Sequence, residues 1–427
     1  MSRVAVTRLL TAFALVAALA AATGAGRAAA PAADPCVQVA QPAWIDYGDK
    51  WVPFRRYFFR DGLAVALAHD APGDDARRNG AQVAFWAMSL KRAVGTPARP
   101  ADPASIPAAT ARLLKTALRV TGCSTPVIAL NELFGAHRPA PWTPKTSQYR
   151  ANVLALVRGL AQFGAQPHLL ISQAGATGGA SANWWRAVAQ SATIAREVYI
   201  PAPWLHSLGP GRASVFFRFE LRRAIRNFTT IGIPSSRLAV ALGFQQGVGG
   251  RMGLARVPWL GLVKRETLAA RQVVRELGVG TVWTWGWATF PGRRFVPASR
   301  QAACVYLWAR NPSLCDGPAT AGRGFDRSLR QPAEGARRVT FRLLSSRHPA
   351  WFRLNSSPKL AARVAFVQVR RTGPWRSVQR LLLGPLRARP VRVPLADGRW
   401  LVRLWVAPEN APNGGSLWTP PVALRVH

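Results

Sequence analysis

Unbroken apolar runs recur along the first two-thirds of the chain, separated by stretches with a helical period. GLAVALA (62–68), TPVIALN (125–131), PHLLIS (167–172), EVYIPA (197–202), RLAVALGF (237–244) and VGTVWTWGW (279–287) read as strands. Continuous apolar runs of this length suit parallel strands covered on both faces. Between them, residues 147–164, 212–228 and 259–278 place apolar side chains on one helical face, and the last ends on Gly278 as a C-cap. Such alternation over about 250 residues predicts a (β/α)8 TIM-type barrel or a doubly wound sheet. Four clear strands follow TPVIALN. In a closed barrel that run is therefore strand four, GLAVALA is strand two, and strand one lies within VQVAQPAWIDY (37–47). Strand three falls to AQVAFWAMSLKRAVG (81–95), whose spacing fits a helix equally well.

The pattern changes near the C-terminus. Residues 318–337 carry little apolar periodicity and read as a linker after a barrel spanning 36–317. Beyond it, short alternating runs such as RVTFRLL, ARVAFVQVRR and GRWLVRLWVA predict an all-β sandwich, Ig- or fibronectin-like, over 338–427. Its Trp375, Trp400 and Trp405 are candidate sugar contacts.

At the other end, Arg3 and Arg8 precede an apolar run from Leu9 to Ala22 and an Ala-rich exit. This predicts a signal peptide over 1–30, a secreted protein, and no membrane span after its cleavage. The four cysteines fit an oxidising compartment and lack zinc-ligand spacing. Their spacing favours Cys304 with Cys315 and Cys36 with Cys123, among three possible connectivities.

Charge adds one constraint. The formal net charge is +39, and six of the 57 basic residues are lysine. Arginines are spread along the chain with no basic block, so no nucleic-acid partner is expected. Two readings stay open: arginine as the residue of solvated faces, or attraction to an anionic extracellular partner.

Only eighteen residues are acidic. Glu220, Glu266 and Glu276 sit in Arg-rich helices, where surface ion pairs account for them. Glu197 is placed at the start of a strand, at the bottom of a barrel. Asp326 and Glu334 fall in the linker and Asp397 and Glu409 in loops of the C-terminal domain, while Asp34 lies by the cleaved end, Asp61 before a strand, Asp102 at a turn or cap and Asp316 after a cysteine. What remains is Glu132, with Asp46 and Asp49 in WIDYGDK and Asp70, Asp74 and Asp75 in HDAPGDD, all near strand exits. Glu132 stands where strand four opens into a loop, and partial desolvation there raises a carboxyl pKa toward that of a general acid. Asn131 beside it suits a sugar hydroxyl. No cofactor or metal is expected. His69, His137 and His206 have no metal-ligand spacing, GVGGRMG (247–253) matches neither phosphate-loop pattern, and G-x-S-x-G is absent.

An Asn-Glu pair ending strand four of a secreted barrel resembles the signature of the large clan of retaining (β/α)8 glycoside hydrolases. The resemblance covers roughly residues 38–300. It implies Glu132 as acid/base, Asn131 on the sugar 2-hydroxyl, and a sugar-stacking Trp285 or Trp287 at the end of strand eight. It also implies an oligosaccharide or polysaccharide ligand, anionic if the charge has a function. The chain departs from the clan at strand seven, where Gln245 and Gln246 stand in place of the nucleophilic glutamate. Three outcomes follow: an inverting enzyme with an aspartate base from HDAPGDD or WIDYGDK, Asp70 for example, a strand register other than this one, or a glycan-binding barrel without hydrolysis. Tyr199, Trp204, His137, Gln245 and Gln246 complete the expected substrate-binding set.

Overall fold

The computed structural model describes residues 36–37, 42–48, 51–70, 72–88, 90–131, 133, 143–172, 177–244, 254–287, 298–334, 336–384, 388–409 and 415–427. Glu132, His137, Gln245, Gln246, Asp49 and residues 1–30 lie outside the described residues.

Eight parallel strands close a barrel in chain order. They are β1 (Ala43–Tyr47), β2 (Ala64–Leu67), β3 (Gln82–Ala87), β4 (Val127–Leu130), β5 (Gln166–Ile171), β6 (Thr193–Glu197), β7 (Leu238–Gly243) and β8 (Thr281–Trp285), which pairs back onto β1. The ambiguous segment 81–95 contains both structures, with β3 followed by a helical turn at Lys91–Val94.

Strand six corrects the sequence reading. It ends at Glu197 instead of starting there, because Thr193–Arg196 form the ladder with β5. The apolar residues Val198 and Ile200 lie beyond the strand and are buried in the layer outside the barrel.

That layer is built by α1 (Gly73–Arg78), α2 (Ile106–Thr121), α3 (Pro144–Gln162), α4 (Gly179–Ser191), α5 (Ala202–Ser207), α6 (Gly209–Thr229), α7 (Arg256–Leu277) and α8 (Ala298–Arg310). Helices α2 and α7 stop on Gly122 and Gly278 in the left-handed conformation, where a glycine carries no Cβ penalty. Inside the barrel, alanines 64, 66, 84, 129, 195, 239 and 241 leave the volume that Tyr47, Trp86 and Trp283 fill. The barrel is a filled core, not a pore.

The C-terminal strands form a β-sandwich. One sheet has the order β13 (Arg389–Val393), β10 (Ala350–Ser356), β9 (Val339–Ser345). The other joins β12 (Arg376–Leu382), β11 (Val364–Arg370), β14 (Gly398–Val406) and β15 (Leu417–Trp418), with β16 (Val422–Val426) also on β14. Alternate residues of both sheets, among them Phe341, Phe352, Val367, Val369, Leu404 and Val406, share one core.

The segment between barrel and sandwich is fastened down. Arg218, Arg222 and Arg226 recur every fourth residue on α6, all buried. Arg218 and Arg222 reach Glu334 at 2.8 and 2.7 Å, and Arg222 also holds Glu276 at 2.6 Å. Arg226 binds Glu409 of the sandwich. Lys264 of α7 holds Asp326 at 2.7 Å. Glu276 thus serves a buried network, and Glu266 is fully buried in α7, where surface pairs were expected for both. Disulfides join Cys36 to Cys123 and Cys304 to Cys315. Among the described residues no helix is long and apolar enough to cross a membrane.

Candidate functional site

The carboxyl ends of the strands define the barrel mouth, where the loops of this fold carry chemistry. Side chains alternate along a strand, so the residues two positions beyond a core-facing one point the same way. On β6 Ala195 belongs to the barrel interior, which turns Glu197 inward at the strand's last position. On β4 Val127 and Ala129 do the same for Asn131, whose N–H continues the ladder to Ala87 O at 3.2 Å.

Beneath these residues lies an aromatic floor. Tyr47 stacks on Trp86 with centroids 4.0 Å apart, and Trp86 meets Trp283 edge-on at 5.6 Å. Trp283 donates its indole N–H to Nδ1 of His168 at 3.1 Å. Burial, then the charge of Arg237, pulls the His168 pKa down to about 3, so the ring is neutral and accepts that bond. The Trp86 indole N–H is buried and meets no acceptor among the described residues.

Above the floor, Trp285 and Tyr199 face each other at 5.2 Å. Gly243 of β7 makes room for them: a Cβ there would lie 2.9 Å from Trp285 Nε1 and 3.0 Å from Tyr199 Cδ1. Burial, reinforced by the negative charge of Glu197, pushes the Tyr199 phenol well above its ordinary pKa. Tyr199 stays protonated and can donate. The Arg196 guanidinium ties the backbone ends of β5 and β6 together, donating to Ile171 O at 3.3 Å and to Glu197 O at 2.5 Å. It thereby fixes the strand end that carries Glu197. The mouth therefore combines a carboxylate, a phenol, an amide and an indole above an apolar floor, a set suited to a polyhydroxylated ring.

Several sequence-predicted residues lie elsewhere. Trp287 is not a stacking platform. Gly286, at φ +96°, breaks the alternation after β8, and Trp287 turns outward against Phe58, Phe244 and Tyr306 with 1% exposure. Trp204 sits on α5, exposed, with its ring edge-on to Phe216 of α6 at 4.5 Å. Asp46 also faces outward. It is fully buried, accepting bonds from Thr284 and Tyr306 at 2.6 Å each, with Arg310 at 3.4 Å. Asp70 pairs with Arg119 of α2 at 2.6 Å, and Asp74 and Asp75 pair with Arg77 and Arg55 around α1. His69 and His206 are exposed on different elements, and among the described residues no three His, Cys, Asp or Glu side chains converge as metal ligands. Glu197 is the mouth-facing carboxylate that the sequence reading placed at the barrel bottom. Its signal was the alternation Thr193, Ala195, Glu197, masked by the more apolar VYI that follows.

No family model matches the chain, and no curated protein does. Among solved structures it is similar to D-allulose 3-epimerase from Methylomonas sp., at 14% identity and TM-score 0.35 over 62% of this chain and 95% of that one. It is also similar to beta-glucuronidase 3 of Bacteroides uniformis, at 10% identity and TM-score 0.33, over 85% of this chain and 44% of that one. The endo-beta-1,4-mannanase of Cellulomonas fimi gives 12% identity and TM-score 0.25, over 92% and 95%. Likeness at this level says nothing of chemistry.

Proposed function

We propose that this is a secreted glycan-acting protein whose barrel mouth binds a saccharide and hydrolyses its glycosidic bond. Glu132 is the proton donor, Asn131 positions a hydroxyl, and Glu197 is the base that draws a proton from water; β4 ends at Leu130, so strand alternation does not bind Glu132 to the face opposite Asn131. The observation carrying this reading is the meeting of Glu197, Tyr199 and Trp285 above the Tyr47, Trp86 and Trp283 floor, with Gly243 clearing space between strands. Glu132 gives its proton to the leaving oxygen, and the water that loses a proton to Glu197 supplies hydroxide to the anomeric carbon. The ends of β4 and β6 lie two strand spacings apart, roughly 9–10 Å of barrel wall. An inverting mechanism, with water between carboxyl groups about 6.5–9.5 Å apart, is what this assignment of roles requires. The signal-like N-terminus and the disulfides support export.

Hydrolysis of a panel of neutral and acidic oligosaccharides tests it, comparing the parent with Glu132→Gln and Glu197→Gln. Each variant is expected to lose activity by at least about 100-fold, and the anomer first released is the inverted one. Equal rates in parent and variants would remove both residues from the mechanism. A second reading, a binding barrel without turnover, draws on Asp46 and Asp70 lying outside the mouth in their own pairs. Tight binding by a parent with no detectable hydrolysis would favour it.

A further inference from the structure

The outer face of the larger sandwich sheet is built as a row of rings and guanidinium groups. Ala365, Val367, Val369, Val402, Leu404 and Val406 fill the sandwich core, so alternation sends Phe366, Arg370, Arg403 and Trp405 to the opposite face. Register sets Phe366 beside Trp405 and Trp405 beside Trp418. The rings stack accordingly, Phe366 on Trp405 at 5.5 Å and Trp405 on Trp418 at 5.6 Å. The Arg403 guanidinium lies 3.9 Å over Trp418 and 4.1 Å over Trp375, and Arg370 lies 4.7 Å over Trp375.

Two cations sharing one indole repel each other, and among the described residues neither Arg370 nor Arg403 has a carboxylate partner within ion-pair distance. The segment 338–427 holds sixteen Lys or Arg against two acids, Asp397 and Glu409, and Glu409 is turned to Arg226. Gln368 pins Arg403 by accepting from Nε at 3.1 Å while donating to Ser377 at 3.3 Å, which leaves the terminal nitrogens for another acceptor. At the Phe366 end the row opens into a cleft of about 720 Å³, lined also by Arg226, Arg363, Arg380 and Thr229, between α6 and the sheet.

We propose that this face is a binding track for an acidic polysaccharide, with carboxylates of the polymer docking on Arg370 and Arg403 and its chain continuing toward the cleft. A guanidinium is planar by resonance, and stacking on an indole fixes the orientation of that plane, leaving its N–H edge free for paired bonds to a carboxylate. A single-stranded nucleic acid needs free ring faces on which bases stack. Here Arg403 and Trp405 lie against Trp418, and Arg403 and Arg370 over Trp375, so guanidinium groups occupy positions that stacked bases would need. The proposal rests on the extracellular-glycan reading only for the kind of polymer. It is measured as binding, so a barrel without turnover leaves it standing.

The test is binding of the full mature chain to polygalacturonate, with a neutral glucan, single-stranded DNA and anionic lipid vesicles alongside. Arg370→Gln with Arg403→Gln is expected to weaken polygalacturonate binding by about tenfold or more. A charge-matched pair on the other sheet, Arg342→Gln with Arg353→Gln, is expected to leave it within about twofold. Arg403→Lys keeps the charge but loses the planar donor edge, and is expected to weaken binding as well. Unchanged melting temperatures certify the variants, and if the double variant misfolds, R403K and the single Arg370→Gln decide. Equal weakening by both charge-matched pairs, no binding to polygalacturonate, or tighter binding to DNA or vesicles would overturn the proposal.

Discussion

Glu334→Ala should loosen the joint between barrel and sandwich more than any exposed substitution of like charge. Glu334 is 5% exposed and receives bonds from two guanidiniums that are themselves fully buried. Removing it leaves Arg218 with Gln331 Oε1 at 2.6 Å, Pro332 O at 3.0 Å and Gln272 Oε1 at 3.4 Å, and no carboxylate. Arg222 keeps Glu276 at 2.6 Å. Breaking a buried pair from one side costs about 3–5 kcal/mol, because the surviving charge is stranded in a poorly solvated site. With an unfolding entropy of roughly 0.8 kcal/mol/K for a body of this size, the midpoint should fall by about 4–6 °C. Burial alone would raise the Glu334 pKa, yet Arg222 and Arg218 hold it below the ordinary glutamate value. A depressed carboxylate contributes stability that is present above the unfolded pKa and is lost as pH falls through the folded one. The gap between parent and variant should therefore be full at pH 7 and narrow below about pH 4.5. Scanning calorimetry of the full chain at several pH values reads both effects, with Asp74→Asn, at an exposed pair with Arg77, as the control worth under about 1 kcal/mol. A Glu334→Ala midpoint within about 1 °C of the parent at pH 7 would refute the reasoning.

Three further outcomes are expected. His168, held neutral with its pKa near 3, makes folding weaker as pH falls from about 6.5 toward 3, since the unfolded chain binds the proton first; His168→Asn should flatten that slope in acid-unfolding curves, and an unchanged slope would remove the histidine as its source. Gly243→Ala pushes a methyl against Trp285 and Tyr199, with an overpacking cost of about 1–3 kcal/mol; saccharide affinity should fall with it, whereas full affinity would place the ligand away from that wall. Asp46→Ala strands Arg310 and removes the acceptor of Thr284 and Tyr306, with an expected loss of about 3 kcal/mol in denaturant melts; a neutral result would mean that the buried carboxylate adds no net stability.

Apolar periodicity by itself determined the alternating α/β domain and the sandwich, because burial on both faces of a parallel strand, and on one face of an antiparallel one, writes itself into residue order; closure of the eight strands into a barrel is a tertiary fact. A C-cap glycine marked the helix stop at Gly278, and cysteine spacing carried the preference for Cys36 with Cys123 and Cys304 with Cys315. What periodicity does not carry is which neighbour a strand end meets. Pairing with β5 ended β6 at Glu197 and turned that carboxylate into the mouth, although the following residues are the more apolar. A single backbone angle at Gly286 sent Trp287 out of the series begun by Trp283 and Trp285. Asp46 looked like a strand-exit acid until the outer layer supplied Thr284, Tyr306 and Arg310 around it. Residues 318–337, polar and aperiodic, read as a tether because nothing local marks Glu334 as the partner of two arginines more than a hundred positions earlier. Local order follows from the chain's own sequence of burial. The direction in which each charged or aromatic group finally points is decided by register and long-range partners, which exist only once the barrel closes.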